Sequence, residues 1–228
     1  MLPSISVMVA AATLAAACAL TVPSHGAAAA CGNSGYSYAG VSSLQSRSGV
    51  SAEITALSAP RVASGHVAAW VGVGGQGLGP NGSDEWLQAG ISATPDQGSA
   101  LYYELALPGK AARYVMLAGH LPVSRSYRVA VLESAAGTGW WRVWVNGSPV
   151  TSRIHLAGSH NAWRPVATSE SWDGGTAACN AFAFRFADVH VASHAGGGWV
   201  PMQVEVLNAP GYVVQQRTLA GFVARGGV

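Results

Sequence analysis

The sequence predicts an all-β protein, a sandwich of two antiparallel sheets. Three observations predict it: a period of two runs through most of the chain, turn-forming residues separate the periodic stretches, and no long charged helical segment appears. Of 228 residues, 29 are Gly and 11 are Pro, and charged residues make up 10%, against about 25% in an ordinary soluble domain. Hydrophobic residues make up 50%, with eight Trp. That is enough apolar material to offset the entropy of ordering, which excludes a disordered chain. A formal net charge of +2, thinly spread, leaves no footprint for nucleic acid.

The elements follow in order. The first 30 residues carry no Asp, Glu, Lys or Arg. From Ile5 to Val22 they are almost all apolar or small, and the run ends at Pro23-Ser24-His25, then Gly26 and Ala27 to Ala30, a small-residue exit that signal peptidases accept. Residues 1–30 are therefore read as a signal peptide, 31–206 as the sandwich domain and 207–228 as a C-terminal strand or extension. The expected location is extracellular, with no membrane association after processing. A retained membrane helix is the competing reading of a run that approaches the ~18 residues needed to span a bilayer.

Removing the leader takes Cys18 with it and leaves Cys31 and Cys179. An even pair in an exported chain implies one disulfide, and closing so long a loop stabilises by about 4–5 kcal/mol on the chain-entropy account. A lipidated N-terminal Cys is the alternative, although the Ala-Ala-Ala before both Cys18 and Cys31 is a poor lipobox.

Strands are expected at 36–42, 50–56, 66–73, 101–107, 114–118, 127–134, 140–145, 150–155, 163–172, 181–191 and 199–206, with a further one at 85–91. In that last stretch Trp86, Gln88 and Gly90 share one face, and Glu85, Leu87, Ala89 and Ile91 the other. Asn146-Gly147 readily takes the positive φ angles of a two-residue hairpin, so 140–145 and 150–155 should pair. Trp140 and Trp141 alternate, so they cannot both face inwards. The Gly-rich loops at 74–83 and 135–139 precede no helical pattern, which argues against a phosphate cradle. Asn81-Gly82-Ser83 and Asn146-Gly147-Ser148 match a glycosylation sequon. The excess of Arg over Lys and the Ala and Gly richness look like a GC-rich bacterial genome, so both are read as turns.

The chemistry is sparse. His66, His120, His155, His160, His190 and His194 form no HExxH pattern, and His190 and His194 have ligand spacing only on a helix, where a strand is expected. No metal or other cofactor is expected. No Gly-x-Ser-x-Gly elbow appears, and the paired thiols are not free nucleophiles. Among ten carboxylates, two lie within neutral strand sequence. Glu104 follows Tyr102-Tyr103, and Glu170 shares a face with Val166, Thr168 and Trp172. Each is either a solvated outer position or a cleft carboxyl with a raised pKa.

Taken together, Trp70-Val71-Gly72-Val73-Gly74-Gly75, Glu85-Trp86-Leu87-Gln88-Ala89-Gly90-Ile91, Tyr102-Tyr103-Glu104 and Ser169-Glu170-Ser171-Trp172 resemble, in order, the glutamic peptidases or eqolisins. That family pattern is a Trp-Val-Gly strand, a Gln-x-Gly strand, an aromatic-x-Glu strand and an Ala-Glu-Trp-like strand. Tyr38-Ala39-Gly40 looks like its Asn-Trp-Ala-Gly opening. The resemblance covers about 36–172, and completing the sheet takes it to about 191. It implies a concanavalin A-like sandwich with one concave peptide-binding face. It puts the catalytic Gln at Gln88 and the catalytic Glu at Glu170, with Trp86, Tyr102, Glu104 and Trp172 against the substrate. Ser37-Tyr38 stands where the family has Asn-Trp, Tyr102 where it has Trp, and the Trp of Ala-Glu-Trp is displaced to Trp172. The facing of Glu170 depends on its register, since a slip of one residue turns a strand side chain to the other face.

The function so implied is a secreted, monomeric acid endopeptidase acting on polypeptide. Its Glu takes a proton from water and later returns it to the leaving amine, and its Gln donates to the oxyanion. Two other classes compete. One is an inactive sandwich that binds peptide or glycan through Trp86, Tyr102, Trp163 and Trp172. The other is a glycoside hydrolase with Glu104 and Glu170 as its pair, about 5–9.5 Å apart, which lacks the alternating Glu-x-Asp-x-Glu cluster of laminarinase-type enzymes.

Overall fold

The computed structural model describes residues 31–32, 35–174 and 179–227. The leader assigned to 1–30, with Cys18, lies outside the described residues. In chain order the strands are β1 (Tyr36–Ser43), β2 (Gly49–Ala56), β3 (Arg61–Val62), β4 (His66–Gly75), β5 (Glu85–Ala93), β6 (Ala100–Ala106), β7 (Arg113–Ala118), β8 (Ser126–Glu133), β9 (Trp140–Val145), β10 (Ser148–Pro149), β11 (Ile154–His155), β12 (Val166–Trp172), β13 (Asn180–His194), β14 (Gly197–Pro201), β15 (Val204–Asn208), β16 (Tyr212–Thr218) and β17 (Gly221–Gly226). Helix among the described residues is limited to one 3-10 turn, Pro80–Gly82.

Two antiparallel sheets result. One runs β15-β1-β12-β4-β5-β6-β7, the other β10-β9-β8-β2-β13-β17-β16, with β11, β14 and β3 attached to β9 and β13. The alternation of the sequence decides which side chains lie between them. Val67, Ala69, Val71 and Val73 of β4 and Leu87, Ala89, Ile91 and Ala93 of β5 meet Val129, Val131, Trp141, Phe184 and Phe186 from the second sheet, all buried. Each Val, Leu, Ile or Phe so withdrawn from water contributes about 1.5–3 kcal/mol. Trp141 is fully buried while Trp140 is 38% exposed, as their alternation requires. A disulfide joins Cys31 to Cys179, spanning 148 positions, and ties the start of the described chain to the entry of β13.

Three expected strands take a different form. The 199–206 stretch is two strands in different sheets: β14 pairs with β13, and β15 pairs with β1. Periodicity of two cannot register such a crossing. The 150–155 partner of β9 is interrupted, with only Ser148–Pro149 and Ile154–His155 in register, because the Thr151 hydroxyl takes the Val143 N–H that a continuous strand would use. The 163–172 strand begins at Val166, since Pro165 has no N–H to give the ladder. In the 207–228 stretch, β16 and β17 form a hairpin, and β17 pairs with β13.

The irregular segment before β12 is fastened by two buried carboxylates. Glu133, fully buried, accepts from Gly139 N at 2.7 Å and lies 2.8 Å from His160 Nδ1. Glu85, 1% exposed, accepts from Ala157 N at 3.0 Å.

Candidate active site

Parity on the first sheet places the candidate residues. With Leu87, Ala89 and Ile91 inside, Trp86, Gln88 and Gly90 of β5 face outwards. With Ala167 inside, Thr168, Glu170 and Trp172 of β12 do the same, and so do Tyr102 and Glu104 of β6. The ladder sets their spacing. Gln88 stands opposite Glu104 on one side and Gly72 on the other. Glu170 stands opposite Ala68 and Tyr38. Gly72 and Ala68 are four residues apart on β4, so Gln88 and Glu170 lie two strands apart and about 13 Å apart along the strand direction at the backbone.

Two hollows on this face share His66, Glu104 and Glu170. One, of about 190 Å³, is lined by Tyr38, Trp70, Trp86 and Gln88 as well. The other, of about 280 Å³, adds Ala68, Ser92, Tyr102 and Tyr114. Glu170 is thus a cleft residue in the expected register, and both it (5% exposed) and Gln88 (8%) are withdrawn from bulk water.

The polar contacts are few and specific. His66 Nε2 lies 3.2 Å from Glu170 Oε1, and its ring stacks on Trp172, centroids 5.8 Å apart. Glu170 Oε2 has no protein partner among the described residues. Trp86 Nε1 donates to Glu104 Oε1 at 3.1 Å. The Gln88 amide donates to the Tyr102 hydroxyl at 3.2 Å, and Tyr102 stacks on Tyr114, which hydrogen-bonds Ser92.

Burial pushes the Glu104 pKa up, and the Glu170 charge adds to this, while the Trp86 hydrogen bond and His66 oppose it. Tyr102 is raised well above the ordinary phenol value by burial and then by Glu170 and Glu104. Tyr38 and Tyr36 are raised by burial and by Glu170. These phenols therefore stay neutral and keep their protons as hydrogen-bond donors around two acidic groups. Among the described residues no group of three His, Cys, Asp or Glu side chains is placed to hold a metal ion.

Of the expected residues, Trp86, Gln88, Tyr102, Glu104 and Glu170 line this cleft, and Trp172 sits behind it through His66. Trp163, counted with the aromatic platform of a binding module, does not belong there. It is 5% exposed, packs in the core and donates its indole N–H to Leu78 O at 3.1 Å. His66 is a partner of Glu170 that the sequence reading does not name: alternation puts His66, Ala68 and Trp70 on one face of β4 without saying which of them reaches the carboxylate.

No family model matches the chain, and no curated protein matches it. Solved structures do match in fold. Scytalido-glutamic peptidase with a peptide-based transition state analog aligns at TM-score 0.55 and 15% identity, over 84% of this chain and 98% of that one. Another crystal structure of scytalido-glutamic peptidase, with a transition state analog inhibitor, aligns at TM-score 0.52 and 17% identity, over 83% and 97%. The likeness is one of fold: the chain is a β-sandwich of the kind those peptidases have.

Proposed function

We propose that this chain is a secreted endopeptidase working in acid, with Glu170 as general base and acid, Gln88 as oxyanion donor and a polypeptide lying across the first sheet. The observation that carries the reading is the convergence of Gln88, Glu104 and Glu170, from three strands, on one cleft of a fold shared with glutamic peptidases. The Cys31–Cys179 disulfide supports export, since such bonds persist in oxidising compartments.

In the proposed reaction the Glu170 carboxylate takes a proton from a water whose oxygen bonds to the scissile carbonyl carbon. The carbonyl oxygen becomes an oxyanion and accepts a hydrogen bond from the Gln88 amide. Glu170 then gives the proton to the amide nitrogen, the C–N bond breaks, and a carboxylic acid and an amine leave. Because Gln cannot ionise, the pair does not share a proton as an aspartic dyad does. Glu104, held protonated into weaker acid by burial, is a donor for the substrate backbone, with Trp86 and Tyr102 as its apolar contacts, while Trp172 acts from behind the cleft by holding His66.

The test is digestion of denatured casein at about pH 3–4 by the full chain and by Gln88→Ala, Glu170→Gln and Glu104→Gln. Removing an oxyanion donor costs about 10²–10³ in turnover, so Gln88→Ala is expected to lose at least that, and Glu170→Gln all measurable activity. Cleavage that survives in Glu170→Gln would overturn the assignment. Absence of cleavage by the native chain would leave the second reading, a non-catalytic cleft for peptide or glycan, which the offset between Gln88 and Glu170 favours.

A further inference from the structure

A further cavity, of about 600 Å³, lies on the opposite sheet, and the peptidase reading makes no use of it. Its lining crosses three interior strands in register: Ala130 of β8 pairs with Ser51 of β2, which pairs with His190 of β13. Trp144 of β9, opposite Ala130, forms one wall, and Trp199 of β14, 41% exposed, forms the other. Trp144 and His190 are three strand spacings apart, about 14 Å. The volume lies within the roughly 300–1,000 Å³ of small-ligand sites.

One end of this trough is shaped by a β-bulge. The pairing of β13 with β2 shifts between Ala187 and His190, and Asp188 takes a φ of 50°, a left-handed conformation unusual for a residue other than Gly. Bulges of this kind re-aim side chains beside binding sites. Here the bulge brings the Asp188 carboxylate to 2.7 Å from Arg128 Nη2 and lets His190 Nδ1 donate to Asp188 O at 2.8 Å. That bond fixes the tautomer of a neutral His190, leaving Nε2 as an acceptor.

The charge balance narrows the ligand. Arg128, the one guanidinium among the described residues of the lining, is matched by Asp188 and, at 3.7 Å, by Glu53, so it is already paired and not free for an anionic ligand. Its floor strands are paired on both sides, so an extended peptide has no edge on which to add a strand. What remains is recognition by side chains alone: indole faces for C–H surfaces, and a fixed set of donors and acceptors for hydroxyls. We propose that this trough is a binding site for a neutral glycan, held between Trp144 and Trp199 and oriented by Arg128, Asp188 and His190.

The test is native affinity electrophoresis of the full chain through gels carrying laminarin, xylan, galactomannan or hydroxyethyl cellulose. Retardation is expected in at least one of them, with affinity lowered at least tenfold in Trp199→Ala and in Asp188→Asn. The exposed indole can be removed without opening the core, and Asn tolerates the positive φ, so both variants should fold, which near-UV circular dichroism checks. Trp86→Ala, on the other sheet, should bind as the native chain does. Unchanged mobility with every polysaccharide, equal retardation of native chain and both trough variants, or loss of binding in Trp86→Ala would overturn the proposal. So would capture of casein peptides that Trp199→Ala abolishes while polysaccharides have no effect. None of these outcomes depends on whether the other face cleaves peptides.

Discussion

Glu170 owes its setting to one neighbour. Its Oε1 is 3.2 Å from His66 Nε2, and His66 is itself fixed by stacking on Trp172, so ring and carboxylate are oriented together. A hydrogen bond to a charged group contributes about 1.5–3 kcal/mol. His66→Ala is therefore expected to lower kcat by about tenfold to a hundredfold with a smaller change in KM, because the loss falls first on the acid–base group that the ring orients. His66→Gln, which keeps a donor, should restore part of the loss. A KM effect with kcat intact would instead make His66 part of the binding surface. The outward faces of Gln88 and Glu170 were legible from alternation, and the choice of those two as a pair came from the resemblance. The His66 contact was not legible, because strand parity gives a face and not which neighbour across the ladder comes within reach of a carboxylate.

At the scale of strands, the site depends on how closely β4 and β5 approach. Gly90 stands opposite Trp70, and a Cβ added there would lie 1.9 Å from Ala69 O and 2.6 Å from Trp70 Cα. Backbone atoms cannot swing aside as a side chain does, so Gly90→Ala must part the two strands that carry Trp70 and Gln88. Such overpacking costs about 1–3 kcal/mol, which thermal unfolding should show as a lowered Tm. Activity in the cleft is expected to fall further than the Tm shift alone explains, and a Tm equal to that of the native chain would refute the close approach. Most strands could be read from period two, including the Asn146-Gly147 turn, whose residues have φ of 48° and 82°. What could not be read was the change of sheet after Pro201 and the broken return strand after Pro149. Both are decided by long-range partners, β1 and the Thr151 hydroxyl, which local alternation does not encode.

For the whole molecule, the distribution of carboxylates sets the response to acid. Glu85 and Glu104 both have pKa values raised in the fold, chiefly by burial. An acid whose folded pKa lies above its unfolded value of 4.5 leaves the folded chain holding more protons than the unfolded one across the interval between the two. Stability from these groups is thus fully present below pH 4.5 and is lost as pH rises through the folded values. Asp188 runs the other way: its Arg128 partner lowers its pKa below 3.8, so its contribution is lost only as pH falls through that lowered value. It is a small contribution at so exposed a site. From Glu85 and Glu104 the fold therefore draws more stability in weak acid, the range in which the proposed reaction would run, than at neutral pH. Replacing both buried acids, Glu85→Gln with Glu104→Gln, removes the ionisation that burial opposes while keeping the shape of the protonated group. Scanning calorimetry of the native chain and the double variant is expected to give nearly equal Tm at pH 4, with the variant progressively the more stable of the two as pH rises to 7. A difference independent of pH, or one that grows towards acid, would mean that these carboxyls ionise as freely in the fold as outside it.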